Sequence, residues 1–585
     1  MNKKLLRKKL ALMLANLKKK RKYYTEVEFL ESTGTQWIDT GLKGKNNLDF
    51  DYKAVFTNVT TSTGYGIGGE WQNGNSFYLG LIRSNGTFAY HYGNTASPVV
   101  VLNSVSANTP YVIKGHMWTG EQYMVINGTK SSVGTVSGTF TATENIALFR
   151  VTSSNPIYSY TKIYYLKIWD NGVLVRDMIP VLDWNMKPCM YDRVTEQLFY
   201  NAGTGDFIAG REIHPVEYLE STGTQYINTG LLSTARSTVD TAFSFTSMES
   251  GVANNIGVFG GRNNTTSNTF TFFKIASTTP QFFRFDYNGQ TTVGTASEMT
   301  WDTASKYRFQ YNGTNCTTTN TTTGESVVTA RSPASTFTTS PICLFAVNTS
   351  GTVGQYLIGR IYYYKYSDGT NSVDMVPAID SNGTAFMFDR VSHTCFLNQG
   401  TGAFKYPARE VEYLEGTGTQ CIDTGLDYFA DFEIGIQLRN SVSNKALGNG
   451  AVYCMQRQNS ASPNWQFTNG SGNFYNSTIR ITEHHVMKWK DNKVYSDDVL
   501  LTEFTKNNNA PNRMYLYSAD GVNKYPNVID FCKLWNPSDG TLVRDFVPAI
   551  KDGVLGMHDK INEVFYPNAG TGDFLTGKIV EPEYE

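Results

Sequence analysis

Glu28-Phe-Leu-Glu-Ser-Thr-Gly-Thr-Gln-Trp-Ile-Asp-Thr-Gly-Leu42 occurs twice more along the chain in near-copy. Glu217 to Leu231 reads EYLESTGTQYINTGL, and Glu412 to Leu426 reads EYLEGTGTQCIDTGL. The starts lie 189 and 195 residues apart, too far for one turn of a solenoid and right for a whole domain. Each copy is matched by a closing stretch: MYDRVTEQLFYNAGTGDF (190–207), MFDRVSHTCFLNQGTGAF (387–404) and MHDKINEVFYPNAGTGDF (557–574). Because the two ends recur together three times, the chain divides into an arm, 1–25, and three repeats, 26–212, 213–409 and 410–585. The links are short, as in Arg211-Glu-Ile-His-Pro215, so the repeats are expected to sit close together.

Between these ends the sequence reads as short strands. Ile163-Tyr-Tyr-Leu-Lys-Ile-Trp169, then Asp170-Asn171-Gly172, then Val173 to Ile179 is strand, tight turn, strand. The unit returns at Ile361–Tyr366 with Asp368-Gly369, and at Phe531–Trp535 with Asp539-Gly540. Pro180, Pro377 and Pro548 are expected to end the second strand of each unit. About a dozen such strands per repeat, without helical periodicity, predict an all-β chain of three tandem jelly-roll or β-sandwich domains. Aromatic residues at 14% and charged residues at only 17% agree with strands and argue against long surface helices.

The arm differs. Residues 1–22 carry ten Lys or Arg and no acid, while the net charge of the whole chain is only -1. Leu6, Leu10, Met13, Leu14 and Leu17 fall on one helical face, which predicts a short N-terminal anchoring helix that needs a partner to be stable. The near-zero net charge gives the repeats no general signal for nucleic acid. No apolar run reaches the roughly 18–20 residues of a membrane span. Asn16 and Lys18 to Lys22 break the brief signal-peptide-like stretch Leu10–Leu14, so no export signal is read. The seven cysteines show no zinc or redox spacing, and none stands in the first 188 residues. Cys189, Cys395 and Cys421 replace apolar residues of the other repeats, so buried, inert thiols are expected, in a reducing compartment.

The opening EYLE(S/G)TGTQ, the IYY strand with its NG or DG turn and the closing NAGTGDF resemble the concanavalin A-like lectin/glucanase superfamily, in its laminin-G-like branch. Modules with these ends look like those on virion proteins of tailed phages and on surface proteins of gut bacteria. The resemblance implies a jelly roll and a binding or structural role on a surface. The leading expectation is a non-enzymatic virion fibre or decoration protein, head fibre or tail fibre. Its arm would dock to capsid or other virion proteins, its repeats would contact host glycan or protein, and it would be a homo-oligomer, with a trimer as the analogy. Alternatives are a bacterial carbohydrate-binding adhesin and a polysaccharide-degrading enzyme. Against the last, the E-x-D-x-x-E pattern of the superfamily's glucanases is missing from the sequence. The repeated acids Glu31, Glu220 and Glu415 read as hydrogen-bond partners of a turn. No catalytic residue and no cofactor is expected.

Relatives of this fold often hold Ca2+, which makes the equivalent Asp39, Asn228 and Asp423 the metal candidates. The Asn in one copy favours turn capping instead, and Asp192, Asp389 and Asp559 are read the same way. Glycan stacking needs exposed aromatic rings beside polar groups. Trp71, Tyr90, Tyr92 and Trp465 are the candidates, with core packing as the competing reading.

Overall fold

In the computed structural model of the chain, residues 24–580 are described except 60–64, 71–75, 84–85, 94–98, 135–138, 140, 153–155, 248–254, 266, 276–281, 334, 439–444, 450–451, 459–463, 469–472, 504, 506–512 and 519. The expected helix with Leu6, Leu10, Met13, Leu14 and Leu17 lies outside the described residues, as does Trp71. Every helix or strand among the described residues is a β-strand.

Each repeat is a sandwich of two sheets. In repeat 1 the main sheet is built on Leu48–Phe56, Pro110–Trp118, Tyr160–Asp170 and Val173–Asp183. The second sheet is built on Tyr65–Glu70, Ser76–Ile82 and Phe88–Gly93. Strand alternation places Phe50, Tyr52, Ile113 and Met117 inside, opposite Phe77, Leu79, Phe88, Tyr90 and Tyr92. Repeat 2 has the same two layers, and its core is a block of phenylalanines in which the rings of Phe272 and Phe309 stack 4.1 Å apart. In repeat 3 the indole of Trp489 fills the core, edge-on to Phe429 and Phe467.

The expected hairpins form. Asn171 and Gly172 both take positive φ, 47° and 79°, as a two-residue turn matching strand twist requires. The prolines, however, do not end the strands: Val173–Asp183 runs through Pro180, Ser372–Ile379 through Pro377 and Leu542–Lys551 through Pro548. The reason is orientation. The carbonyls of Pro377 and Pro548 accept from Val216 and Val411 N–H, at the margin of a short neighbouring strand. In an antiparallel ladder a residue's nitrogen points the same way as its carbonyl, so the missing donor falls at that margin.

A buried glutamine bridges the opening and closing motifs of each repeat, beside backbone and asparagine bonds that also join them. Gln36, Gln225 and Gln420 are 3%, 2% and 1% exposed. Each Oε1 accepts the backbone N–H of Thr33, Thr222 or Thr417 at 2.8 Å. Each Nε2 donates across to the closing motif, to the carbonyl of Asp206, Ala403 or Asp573 at 3.1, 3.1 and 2.7 Å. Gly203, Gly400 and Gly570 are required there, since a Cβ would stand 2.0–2.2 Å from the carbonyl of Thr35, Thr224 or Thr419. The turn role expected of Glu31 and Glu220 therefore belongs to glutamine. Those glutamates instead pair across strands with Lys162 at 3.7 Å and Arg360 at 2.7 Å.

Repeats 1 and 2 are joined by a shared strand, not by a flexible link. Glu212–Pro215 pairs with Tyr24–Val27 of repeat 1 on one side and with Ser372–Ile379 of repeat 2 on the other. Beside it the hairpin tip Ser392–Cys395 of repeat 2 rests on repeat 1. His393 donates from Nε2 to the Val27 carbonyl at 2.9 Å, Cys395 N–H donates to Glu28 at 3.0 Å, and Lys53 donates to Thr394. Burial pulls the His393 imidazole down to about 4 and the Lys53 ammonium down to about 8, and it raises the Glu28 carboxyl.

Candidate functional site

The outward-facing residues of the main sheets carry the candidate site. On the hairpin Pro110–Trp118 and Glu121–Ile126, alternation buries Ile113, Met117, Met124 and Ile126 and turns His116, Trp118 and Tyr123 outward, where each is half-buried. The register places Tyr123 directly opposite His116. The imidazole stacks on Trp118 at 5.3 Å with 12° between planes, and on Tyr123 at 5.0 Å. Lys130 closes the stack, its Nζ 3.4 Å from the Tyr123 ring centre. Asp49 on the adjacent strand fixes the arrangement by accepting from Trp118 Nε1 at 3.0 Å and meeting His116 Nδ1 at 2.6 Å. With Nδ1 held by the carboxylate, Nε2 is the imidazole nitrogen left to act toward a ligand. The result is a row of ring edges bounded by an ammonium and a carboxylate, with both faces of the His116 ring covered by Trp118 and Tyr123, so that a ligand would meet C–H edges and hydrogen-bonding groups.

Repeat 2 presents similar chemistry at other positions, which repeat 1 fills in the same way: there Phe29 and Tyr164 meet at 5.5 Å with Lys162 over Phe29 at 4.4 Å. In repeat 2, Tyr218 and Tyr362 meet edge-on at 5.7 Å, Arg360 lies over Tyr218 at 4.2 Å and Lys306 over Tyr362 at 3.5 Å. Nearby Arg308 grips Asp240 through two hydrogen bonds, 2.9 and 2.6 Å, and Tyr363 donates to the same carboxylate at 2.8 Å. Burial pushes the Asp240 carboxyl up, but these bonds outweigh it and hold the group below its ordinary range. In repeat 3, Lys490 lies 4.5 Å from the Trp535 ring centre.

Of the aromatics named from sequence, Tyr90, Tyr92 and Trp465 do not form this surface. Tyr90, Tyr92 and Trp465 are each 0% exposed and belong to the sandwich cores, so no ring face is open to a sugar. The physical reason is the strand period: Tyr90 and Tyr92 share the inward face of Phe88–Gly93, and Trp465 the inward face of Asn464–Thr468. The equivalent metal candidates cap turns. Asp39, Asn228 and Asp423 accept the N–H of Gly41, Gly230 and Gly425 at 2.8, 3.0 and 3.0 Å. Asp423 also holds Arg513 at 2.7 Å. Asp192, Asp389 and Asp559 are each 0% exposed. Each accepts from the backbone of Asp177, Asp374 or Asp545 and from that of Val194, Val391 or Ile561. Among the described residues no three His, Cys, Asp or Glu side chains come together as a metal-ligand group. The thiols of Cys189, Cys316 and Cys343 are buried, and burial pushes each up to about 12, which keeps them protonated and unreactive at neutral pH.

No family model matches the chain, and no curated protein matches it. Among solved structures it is similar to domains LG4-5 of the mouse laminin alpha1 chain, at 12% identity over 60% of this chain and 91% of that one, with a TM-score of 0.22. It is also similar to the LG1-3 region of the laminin alpha2 chain, at 10% identity over 93% of this chain and 100% of that one, with a TM-score of 0.24.

Proposed function

We propose that the chain is a non-enzymatic surface-binding protein whose three sandwiches present glycan-recognising outer faces. In its finer form the proposal is a virion-surface fibre or decoration protein of a tailed phage, attached to the particle through residues 1–22. The observation that carries the binding reading is the half-buried aromatic–cation grouping on the outer face of all three main sheets. The non-catalytic reading is supported by the use made of the repeated acids: they cap turns or pair with scaffold cations. The virion setting is supported by the motif resemblance and by the basic, apolar-striped arm.

Two measurements test this. Chain deleted of residues 1–22 is expected to keep folded repeats and to be lost from purified particles. Recovery of the full chain in a cell-envelope fraction rather than in particles would favour the adhesin. Incubation with candidate polysaccharides is expected to release no reducing ends; release abolished by one Glu or Asp substitution would make the chain an enzyme.

A further inference from the structure

The turn that follows the long strand Val173–Asp183 has the same frame in repeats 1 and 2. In repeat 1, Asp183 N–H donates to the Lys187 carbonyl at 3.0 Å and Met186 N–H to the Asp183 carbonyl at 2.9 Å. In repeat 2, Asp380 N–H donates to the Thr384 carbonyl at 3.1 Å and Gly383 N–H to the Asp380 carbonyl at 2.9 Å. The carboxylates match as well. Asp183 accepts the N–H of Asn185 and of Lys187, both at 2.8 Å, and Asp380 accepts those of Asn382 and Thr384 at 3.0 and 2.8 Å.

The frame is constant, but the residues it displays are not. Repeat 2 fills the turn with Ser381, Asn382 and Gly383, and repeat 3 turns on Asp552 and Gly553. Repeat 1 places Trp184 and Met186 there, 68% and 39% exposed, beside Tyr200, whose hydroxyl donates to Asp183 at 3.0 Å. Among the described residues Trp184 is the one exposed tryptophan. Met186 also takes a left-handed φ of 62°, where repeats 2 and 3 use Gly383 and Gly553 at 77° and 78°. A side chain disfavours that backbone region, and a large apolar one gains nothing by standing in water. The turn itself needs neither residue, so their use is contact. Repeat 3 meets the turn through Lys578, whose ammonium donates to the Trp184 carbonyl at 2.6 Å and leaves the indole open.

What enters beside the turn also differs. In repeat 2 the incoming strand Glu212–Pro215 is already paired with repeat 1. In repeat 1 the incoming segment is the arm: Tyr24 lies opposite Asp183, so the chain reaches repeat 1 alongside the turn. Leu17 and Leu14 stand seven and ten residues before Tyr24, about 10 and 15 Å away along a helix. The apolar stripe of the arm therefore falls within reach of Trp184 and Met186, and a segment this short needs such a surface to become a stable helix.

We propose that the Trp184–Met186 turn of repeat 1 is the docking site for the arm of the same chain, with Leu14 and Leu17 packed on the indole and the thioether. An indole and a flexible thioether make an apolar surface that adapts to such side chains. The contact concerns the arm before it meets any particle, and it stands whether or not the arm later attaches to one.

The test is limited trypsin digestion of the full chain, read as cleavage at Lys18–Lys22, against full chain carrying Trp184→Ser and Met186→Gly. The double variant reproduces the turn of repeat 2 and relieves the strained φ, so it is expected to fold. Its arm is expected to be cut roughly tenfold faster. Conversely, Leu14→Ser with Leu17→Ser is expected to raise hydroxyl-radical oxidation of Trp184 about threefold. Both rates are expected to be independent of protein concentration. Equal arm cleavage in the two chains, unchanged oxidation of Trp184, or protection that grows with concentration, as docking by a second copy's arm would give, overturns the proposal.

Discussion

Replacing Gln225 by Ala removes a bridge between the two ends of repeat 2, and the structure sets the cost. The side chain is 2% exposed, but Thr222 and Ala403 themselves lie at the surface, so water reaches part of what it leaves. Its Oε1 takes Thr222 N–H at 2.8 Å and the Ser221 hydroxyl at 3.0 Å, and its Nε2 reaches the Ala403 carbonyl at 3.1 Å. The hydroxyl can turn to another partner; the Thr222 N–H and the Ala403 carbonyl cannot. Two lost hydrogen bonds to part-buried backbone groups, at about 0.5–1.5 kcal/mol each, give a loss of about 1–3 kcal/mol. Because a chain of several domains has no single unfolding free energy, the assay is native-state hydrogen exchange read over residues 219–226 and 398–405. The expected result is a fall of that size in local opening free energy in both segments at once, with the equivalent segments of repeats 1 and 3 unchanged. Gln225→Glu keeps the acceptor but sets a carboxylate against the Ala403 carbonyl, and it is expected to cost at least as much. A loss below about 1 kcal/mol, or a loss confined to one of the two segments, would refute the claim that this glutamine joins them.

Asp389→Ala removes the acceptor for the backbone N–H groups of Asp374, Val391 and Ser392, and a loss of about 2–4 kcal/mol is expected in the exchange stability of residues 385–397. His393 titrates near 4 in the fold against an ordinary 6.5, because burial between repeats 1 and 2 disfavours the charged imidazole. The stability it leaves intact at neutral pH is therefore lost as pH falls from about 6.5 towards 4, by about 3 kcal/mol in all. His393→Gln, neutral throughout, should flatten that slope in pH-dependent exchange at Val27 and Cys395; an unchanged slope would place the titrating group elsewhere. Trp465→Ala should cost about 3–5 kcal/mol in repeat 3 while leaving any glycan affinity of the folded chain unchanged, which calorimetry beside a binding titration distinguishes.

The three-module organisation was legible because the opening and closing motifs recur as pairs, and the IYY strand with its Asn171-Gly172 turn was legible because strand period and turn chemistry are both local. The bridging glutamine is written there too, constant in all three copies of GTGTQ, but an uncharged side chain in a polar turn carries no local sign of burial. Burial of Tyr90 and Tyr92 follows from their sharing one strand face, yet which face is inside depends on the opposing sheet and is not written locally. The stack on repeat 1 was less accessible still. Trp118 and His116 are two apart on one strand, but Tyr123 and Lys130 join them only once the Trp118–Glu121 turn and the Asn127-Gly128 turn set the register. The shared strand Glu212–Pro215 reads as a linker because its partners lie far away in sequence, at Glu26 and Ile379.

The central claim, that these sandwiches bind a surface through their outer faces and do not cut it, is tested most directly by titrating host-surface polysaccharide into the full chain and into Trp118→Ala. The substitution removes the half-buried end of the Trp118–His116–Tyr123 stack and leaves the core of repeat 1 untouched. The account predicts saturable binding by the full chain, weakened by about 1–3 kcal/mol in the variant, with the polysaccharide recovered at its original length. Binding unaffected by Trp118→Ala and by the matching change at Tyr362, or a polysaccharide shortened on incubation, would contradict it.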